Sequence, residues 1–276
     1  MREPEPIIVA HLFPETLDAL LEVLAGLSID EWNAPTVCRN WTVKDIAQHL
    51  LGGDIAILAR LRDGYAFSGS PIQEWSDLVV MINRLNSEWV TATRRLSPKL
   101  LCDLLRFTGR QVCEYFASLD PFALGNPVDW VSPEPAAVWL DLAREYTERW
   151  HHQQQMRDAV GRPGLKARRH FAPVLDAFVR ALPRTYHDVY AAEGTLIELK
   201  IVGESGGTWF LLRTAEAWKL LIEVDRVAMC CVSMSEETAW RLFTRGLNRD
   251  KAQSDVKIVG DVALGSKVLD TTSVIA

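Results

Sequence analysis

Residues 148–163 read Glu148-Arg149-Trp150-His151-His152-Gln153-Gln154-Gln155-Met156-Arg157-Asp158-Ala159-Val160-Gly161-Arg162-Pro163. They close a helical stretch that begins near Ala136 and stops at Gly161-Arg162-Pro163-Gly164, where a glycine just past the last periodic residue and a proline beyond it end the helix. At about 100° per residue from His152, Val138, Leu142, Met156 and Ala159 share its side of the helix, and so do Glu145, Glu148 and Arg149. A stripe that is otherwise apolar therefore carries a block of ionisable groups. An unpaired carboxylate is costly to bury, so the block must be paired, exposed or bound to a metal. Glu148 and His152 stand four residues apart and can reach one ion from adjacent turns. Glu145 lies about 20° from His152 and rivals Glu148, and spacing does not choose between them. His151 sits about 100° round the helix, away from any ion that His152 would hold. An ion-pair network around Arg149 would account for the same block without a metal.

Toward the N-terminus, periodicity predicts further helices. The first runs from about Ala10 to Ala25 on Leu12, Phe13, Leu17, Leu20, Leu21 and Leu24. In the second, Thr42 and Asp45 form a capping box, and the helix continues through His49 towards Arg62 and stops near Gly64. A third begins around Glu74–Val79 and reaches Leu96. Ser97-Pro98 then restarts a helix to Leu119, and a proline-rich passage follows through Pro121, Pro127, Pro133 and Pro135. On the second helix, Asp45, Gly52, Gly53 and Ala56 are the angular neighbours of His49. Two consecutive glycines inside a helix cost about 1 kcal/mol each against alanine, so they need a reason. Open space beside His49 would be one; a kink or an early helix end would be another.

Beyond Gly164 the texture changes. A helix covers about Phe171 to Leu182. Thr195–Val202 then alternates, with Ile197, Leu199 and Ile201 opposite Glu198 and Lys200, as a half-buried strand does. Trp209–Arg213, Trp218–Val224, Val227–Met234 and Val256–Val259 read as further strands. Ser235 caps a helix to about Arg245, and a last helix follows Gly260. The expected architecture is an all-helical domain over residues 1–164 and an α+β domain over 165–276.

At 276 residues with 48% hydrophobic and 24% charged residues, the chain can bury a core without disulfides. Its net charge of −6 and the absence of a basic cluster argue against nucleic-acid binding. The five cysteines, Cys38, Cys102, Cys113, Cys230 and Cys231, form no CxxC pair, which suits reduced thiols and a cytoplasmic protein. Cys38 reads as a structural cysteine rather than a nucleophile. The N-terminus has no signal-peptide pattern, and no stretch approaches the roughly 20 apolar residues of a membrane span.

Two segments together resemble a known family. Cys38-Arg39-Asn40-Trp41-Thr42-Val43-Lys44-Asp45-Ile46-Ala47-Gln48-His49-Leu50 is similar to the start of the second helix in the mycothiol-dependent maleylpyruvate isomerases, which belong to the DinB-like four-helix bundles. Glu148–Pro163 resembles that family's Glu-x-x-x-His pair and its Arg-x-Ala-x-Gly close. The α+β segment is similar to the sterol-carrier-like domain that many members carry. The resemblance implies a divalent metal, zinc first and nickel as the other option, held by His49, Glu148 and His152. Three protein ligands leave room for a thiolate, water or substrate, the pattern of a catalytic site. It further implies a low-molecular-weight thiol such as mycothiol and a small electrophilic substrate, with cis-trans isomerisation or S-transfer as the reaction, in a monomer or homodimer. In one place the match is looser: an acidic residue often stands three after the ligand histidine, where this chain has Gln155. Arg149, Arg157, Arg241 and Arg245 are the arginines weighed for an anionic substrate. A metal-dependent hydrolase and a non-catalytic carrier of an apolar ligand are the other readings.

Overall fold

The computed structural model describes residues 1–65 and 75–273. They form a helical part followed by an α+β part, and contacts divide the chain into two compact units. One unit comprises Val9–Asp120 and Glu145–Leu165; the other takes in Met1–Ile8, Pro121–Arg144 and the chain from Lys166 onward.

In the helical unit a 3-10 turn, Ala10–Leu12, leads into α1 (Phe13–Ala25), with Pro14 in the first turn. The short α2 (Ile29–Trp32) carries a Ser28–Glu31 capping box that the periodicity did not reveal. Helix α3 (Val43–Ile57) starts on the expected capping box: Thr42 Oγ1 accepts from the Asp45 backbone N–H, and an Asp45 carboxylate oxygen accepts from that of Thr42. It passes into a π-helical turn, Leu58–Arg62. Helix α4 spans Trp75–Thr93; its expected start at Glu74 falls outside the described residues. Ser97 caps α5 (Pro98–Ser118), again as expected. Leucines of α1 and α5, Val43, Ile46, Ala47, Leu50 and Leu51 of α3, and Met156 meet in one buried core.

The proline-rich passage is not mere connection. Leu124–Val128 (β1) and Ser132–Ala137 (β2) pair as an antiparallel hairpin with an irregular register, Pro127 opposite Pro135. A two-stranded hairpin has free edges on both sides, where a proline need sacrifice no ladder bond. Burial of Val128, Trp130, Leu140 and Ala181 supplies the apolar contact that alternation alone did not signal. Helix α6 (Val138–Val160) follows directly, and its residues from Glu145 onward belong to the helical unit.

Next come α7 (Arg168–Val179), α8 (Leu182–Thr185) and strands β3 (Leu196–Val202), β4 (Gly207–Arg213), β5 (Trp218–Leu221) and β6 (Cys230–Ser235). Then follow α9 (Glu236–Phe243), α10 (Arg249–Gln253), β7 (Lys257–Gly260) and α11 (Val262–Ser266). The five-stranded sheet has the order β5-β4-β3-β6-β7, with β3 and β6 parallel and the other pairs antiparallel. In β3 the predicted alternation holds, with Ile197, Leu199 and Ile201 buried. Strand β5 ends earlier than expected, at Leu221, and β6 begins later, at Cys230. Helices α8 and α10, of four and five residues, were too short for their period to be read. All five cysteines are free thiols, and no helix among the described residues is long and apolar enough to cross a membrane.

Candidate metal centre

All the residues of this site lie in the helical unit. Helix α3 presents His49 and α6 presents Glu148 and His152. Position along α3 is fixed at its start by the Thr42–Asp45 box, and Asp45 is held in turn by Arg94 Nε at 3.1 Å. A turn further on, the Trp89 indole N–H donates to the carbonyl of Gln48 at 2.7 Å. Gly52 has its reason here: a Cβ at that position would stand 2.7 Å from Trp89 Cδ1. At Gly53 a Cβ would meet nothing within 4 Å, so of the two glycines only this one borders open space.

Nε2 of His49 and Nε2 of His152 lie 3.1 and 3.0 Å from the same oxygen of Glu148, Oε1. The two rings meet edge to face with centroids 4.7 Å apart, and Trp41 lies against His49 at 5.2 Å. Among the described residues, these three form the group of His, Cys, Asp or Glu side chains whose donor atoms all lie within 4.8 Å of one another. Two imidazoles and a carboxylate are a catalytic zinc donor set, and ligands about 2.1 Å from a tetrahedral ion stand roughly 3.4 Å from each other. The residues present therefore fit a divalent ion in both chemistry and spacing.

Behind His152 lies a second layer. Nδ1 of His152 is 2.7 Å from Gln155 Oε1, and the Cys38 thiol donates to the same oxygen at 3.1 Å. The Gln155 amide donates to His151 Nε2 at 2.7 Å, so His151 spends that nitrogen away from the donor cluster. Electrostatically the attraction within the Glu148–His152 pair outweighs the cost of its partial burial. Burial by itself would raise the carboxyl, but the His152 charge and hydrogen bonds from both histidines hold Glu148 well below the ordinary carboxylate range. Burial would lower His152, but the Glu148 carboxylate, with a smaller contribution from Cys38, pushes it up to about 10.

The remaining candidate residues lie outside the three converging donors. Glu145 is buried and is not one of the three converging donors. Arg149 Nη1 pairs with Asp54 at 2.7 Å, and Thr108 donates to the other Asp54 oxygen at 2.8 Å. Arg157 clamps the end of α6: it donates to Gln153 Oε1 and to the carbonyls of Ala19 and Arg162. Arg241 belongs to the α+β unit, where it lies over the Trp240 ring at 4.4 Å and faces Glu237 at 3.6 Å. Arg245 adopts a left-handed φ of 59° just past the end of α9. Sequence reasoning missed Trp41 beside His49 and the Asp54–Thr108 partnership, which no spacing signals. In the sequence Gln155 stands out only as a departure from the family pattern and Cys38 only as a structural cysteine; the fold brings the two into contact.

Residues 13–157 match the family model described as the mycothiol maleylpyruvate isomerase N-terminal domain. No curated protein matches the chain. Among solved structures, the crystal structure of the mycothiol-dependent maleylpyruvate isomerase superposes with a TM-score of 0.55 at 14% identity, over 92% of each chain. A mutant of that enzyme gives 0.54 at 13% identity, again over 92% of each chain. At such identities the likeness concerns the fold, whereas the family model spans more than half of the sequence. The chain belongs to the mycothiol maleylpyruvate isomerase N-terminal domain family.

Proposed function

We propose that the protein is a metal-dependent enzyme that uses a low-molecular-weight thiol of the mycothiol type on a small electrophilic substrate, in maleylpyruvate-isomerase-like cis-trans isomerisation or a related S-transfer. The observation that carries this reading is the convergence of His49, Glu148 and His152 on one point from two helices. These three side chains would hold the ion, zinc in the first place and nickel as the alternative. A divalent ion lowers the pKa of a thiol bound to it, so that thiolate is available at neutral pH.

The protein's own groups supply position. Glu148 and the two imidazoles would hold the ion that binds the thiol, Gln155 hydrogen-bonds the His152 ring, and Trp41 lies against His49. Gly53 leaves space on the His49 face of α3, one turn along, where a substrate has room to approach. In the isomerisation, the thiolate sulfur forms a C–S bond with one carbon of a cis double bond conjugated to a carbonyl. The π electrons move onto the carbonyl oxygen as enolate, and the former double bond rotates as a single bond. The electrons then return, the C–S bond breaks and the trans alkene leaves with the thiolate regenerated. No oxidant, reductant or net proton is consumed.

The test measures metal content and turnover together. Protein purified without chelator should carry about one divalent ion per chain, and it should isomerise maleylpyruvate only when mycothiol is added. Turnover indifferent to thiol would point instead to a hydrolase with water in the thiol's place, and absence of metal would remove the reading. The chain's five free cysteines suit a cytoplasmic location, and the chemistry calls for no nucleic acid or membrane.

A further inference from the structure

We propose that Gln155 is a positioning residue that fixes the protonation pattern of the His152 ring, so that Nε2 presents its lone pair to the ion. This rests on the metal-binding reading of the site. A neutral imidazole carries one N–H and one lone pair, and only the lone pair can bind a metal. The hydrogen-bond partner of one ring nitrogen therefore decides what the other can do. At His152 that partner is a glutamine amide, which offers an acceptor at one end and a donor at the other.

The amide is placed so that its two ends make different bonds. Its Oε1 receives two groups, Nδ1–H of His152 at 2.7 Å and the Cys38 thiol, which is a donor, at 3.1 Å. Its Nε2 donates to His151 Nε2 at 2.7 Å. Flipping the amide would aim N–H at both the thiol and the His152 ring, and would set an oxygen against the His151 nitrogen. It would also call for a lone pair on Nδ1 of His152, leaving Nε2 with the proton and unable to bind. Amide orientation and ring protonation are thus a single choice, and the Cys38 thiol donating to Oε1 goes with the orientation shown. Gln155 is buried, so water does not compete for these bonds. Such outer partners of metal-bound histidines typically matter 10–100-fold in metal affinity.

This accounts for a glutamine at a position where a carboxylate would also serve: either accepts the Nδ1 proton. It further gives Cys38 a role as a donor to Gln155.

The experiment titrates the full-length, metal-stripped protein with Zn2+ alone and records long-range proton–nitrogen NMR spectra of the Zn2+-loaded form. The wild type should bind Zn2+ and show His152 protonated at Nδ1, a signature that needs no variant. Gln155→Leu should weaken Zn2+ binding by about 10–100-fold, and Gln155→Glu, which restores the acceptor, should recover it. Equal Zn2+ affinity in wild type and Gln155→Leu, or His152 bound through Nδ1 with the proton on Nε2, would overturn the inference while leaving the metal site standing. A wild type that binds no Zn2+ would remove the metal reading and this inference with it.

Discussion

The indole of Trp89 occupies the space that a side chain at Gly52 would fill, with Cδ1 2.7 Å from where the Cβ would be. Helix α4 reaches α3 at this point through a missing side chain, and the indole N–H caps the contact by donating to Gln48. The adjacent Gly53 has no such neighbour. Gly52→Ala should therefore lose stability although alanine favours helix: the gain of about 1 kcal/mol is outweighed by about 1–3 kcal/mol of overpacking together with a strained indole hydrogen bond. Gly53→Ala should instead gain up to about 1 kcal/mol. Urea denaturation of the two variants reads the signs directly, and two changes of the same sign would refute this account of the pair.

Removing one ligand should separate Glu148 from its rival. Glu148→Ala and His152→Ala should each lower metal affinity by more than the roughly 10–100-fold that outer partners contribute. Glu145→Gln should leave it nearly unchanged, since Glu145 is not among the converging donors. Elemental analysis after dialysis against a weak chelator makes the comparison; loss of metal from Glu145→Gln alone would transfer the ligand role to that residue.

Protonation of the metal-free pair sets a stability window. His152 rises from 6.5 to about 10 on folding, so its contribution is complete below 6.5 and is lost as pH climbs through about 10. Glu148 is lowered from 4.5, so its contribution is present above 4.5 and is lost as pH falls through the depressed value. Chelator-treated protein should be stabilised most by this pair between 4.5 and 6.5, with the contribution declining on the alkaline side. Thermal midpoints of wild type and Glu148→Gln across pH 6.5 to 10 should converge as pH rises. A constant difference would contradict the coupling.

Asp54 neutralises a cation inside the helical unit. Its side chain is 1% exposed and that of Arg149 is 15% exposed. Asp54→Ala removes the hydrogen-bonded partner of the guanidinium, leaving only the charge of Glu145 nearby, and should cost about 3–5 kcal/mol. Replacing both, as Asp54→Leu with Arg149→Met, should recover most of that loss. Equilibrium unfolding of the single and double variants measures it, and an Asp54→Ala midpoint equal to wild type would mean that Arg149 finds another partner.

Much of the helical unit was legible because its signals are local. The Thr42–Asp45 box, Ser97-Pro98 and the Gly161 stop each act within one turn, and the structure uses all three. Alternation at Ile197, Leu199 and Ile201 likewise marked β3. The hairpin Leu124–Ala137 carries no such local signal, since its prolines read as connection and its burial comes from Trp130 and Leu140 packing with Ala181, distant in the chain. Gly52 was legible as an anomaly, but its cause lay on another helix, at Trp89.

At the candidate site the division is the same. Sequence alone determined that Glu148 and His152 share a helix face, because the period of an α-helix dictates it, and that His49 lies seven residues beyond a helix cap. Only tertiary structure decided that the two histidines meet at one oxygen of Glu148, that Glu145 stays outside, and that Gln155 and Cys38 stand behind His152. The physical reason is reach: His49 and Glu148 are 99 positions apart, and no backbone periodicity carries information over that distance. Their meeting depends on which side chains pack between α3 and α6, and that is a property of the folded core.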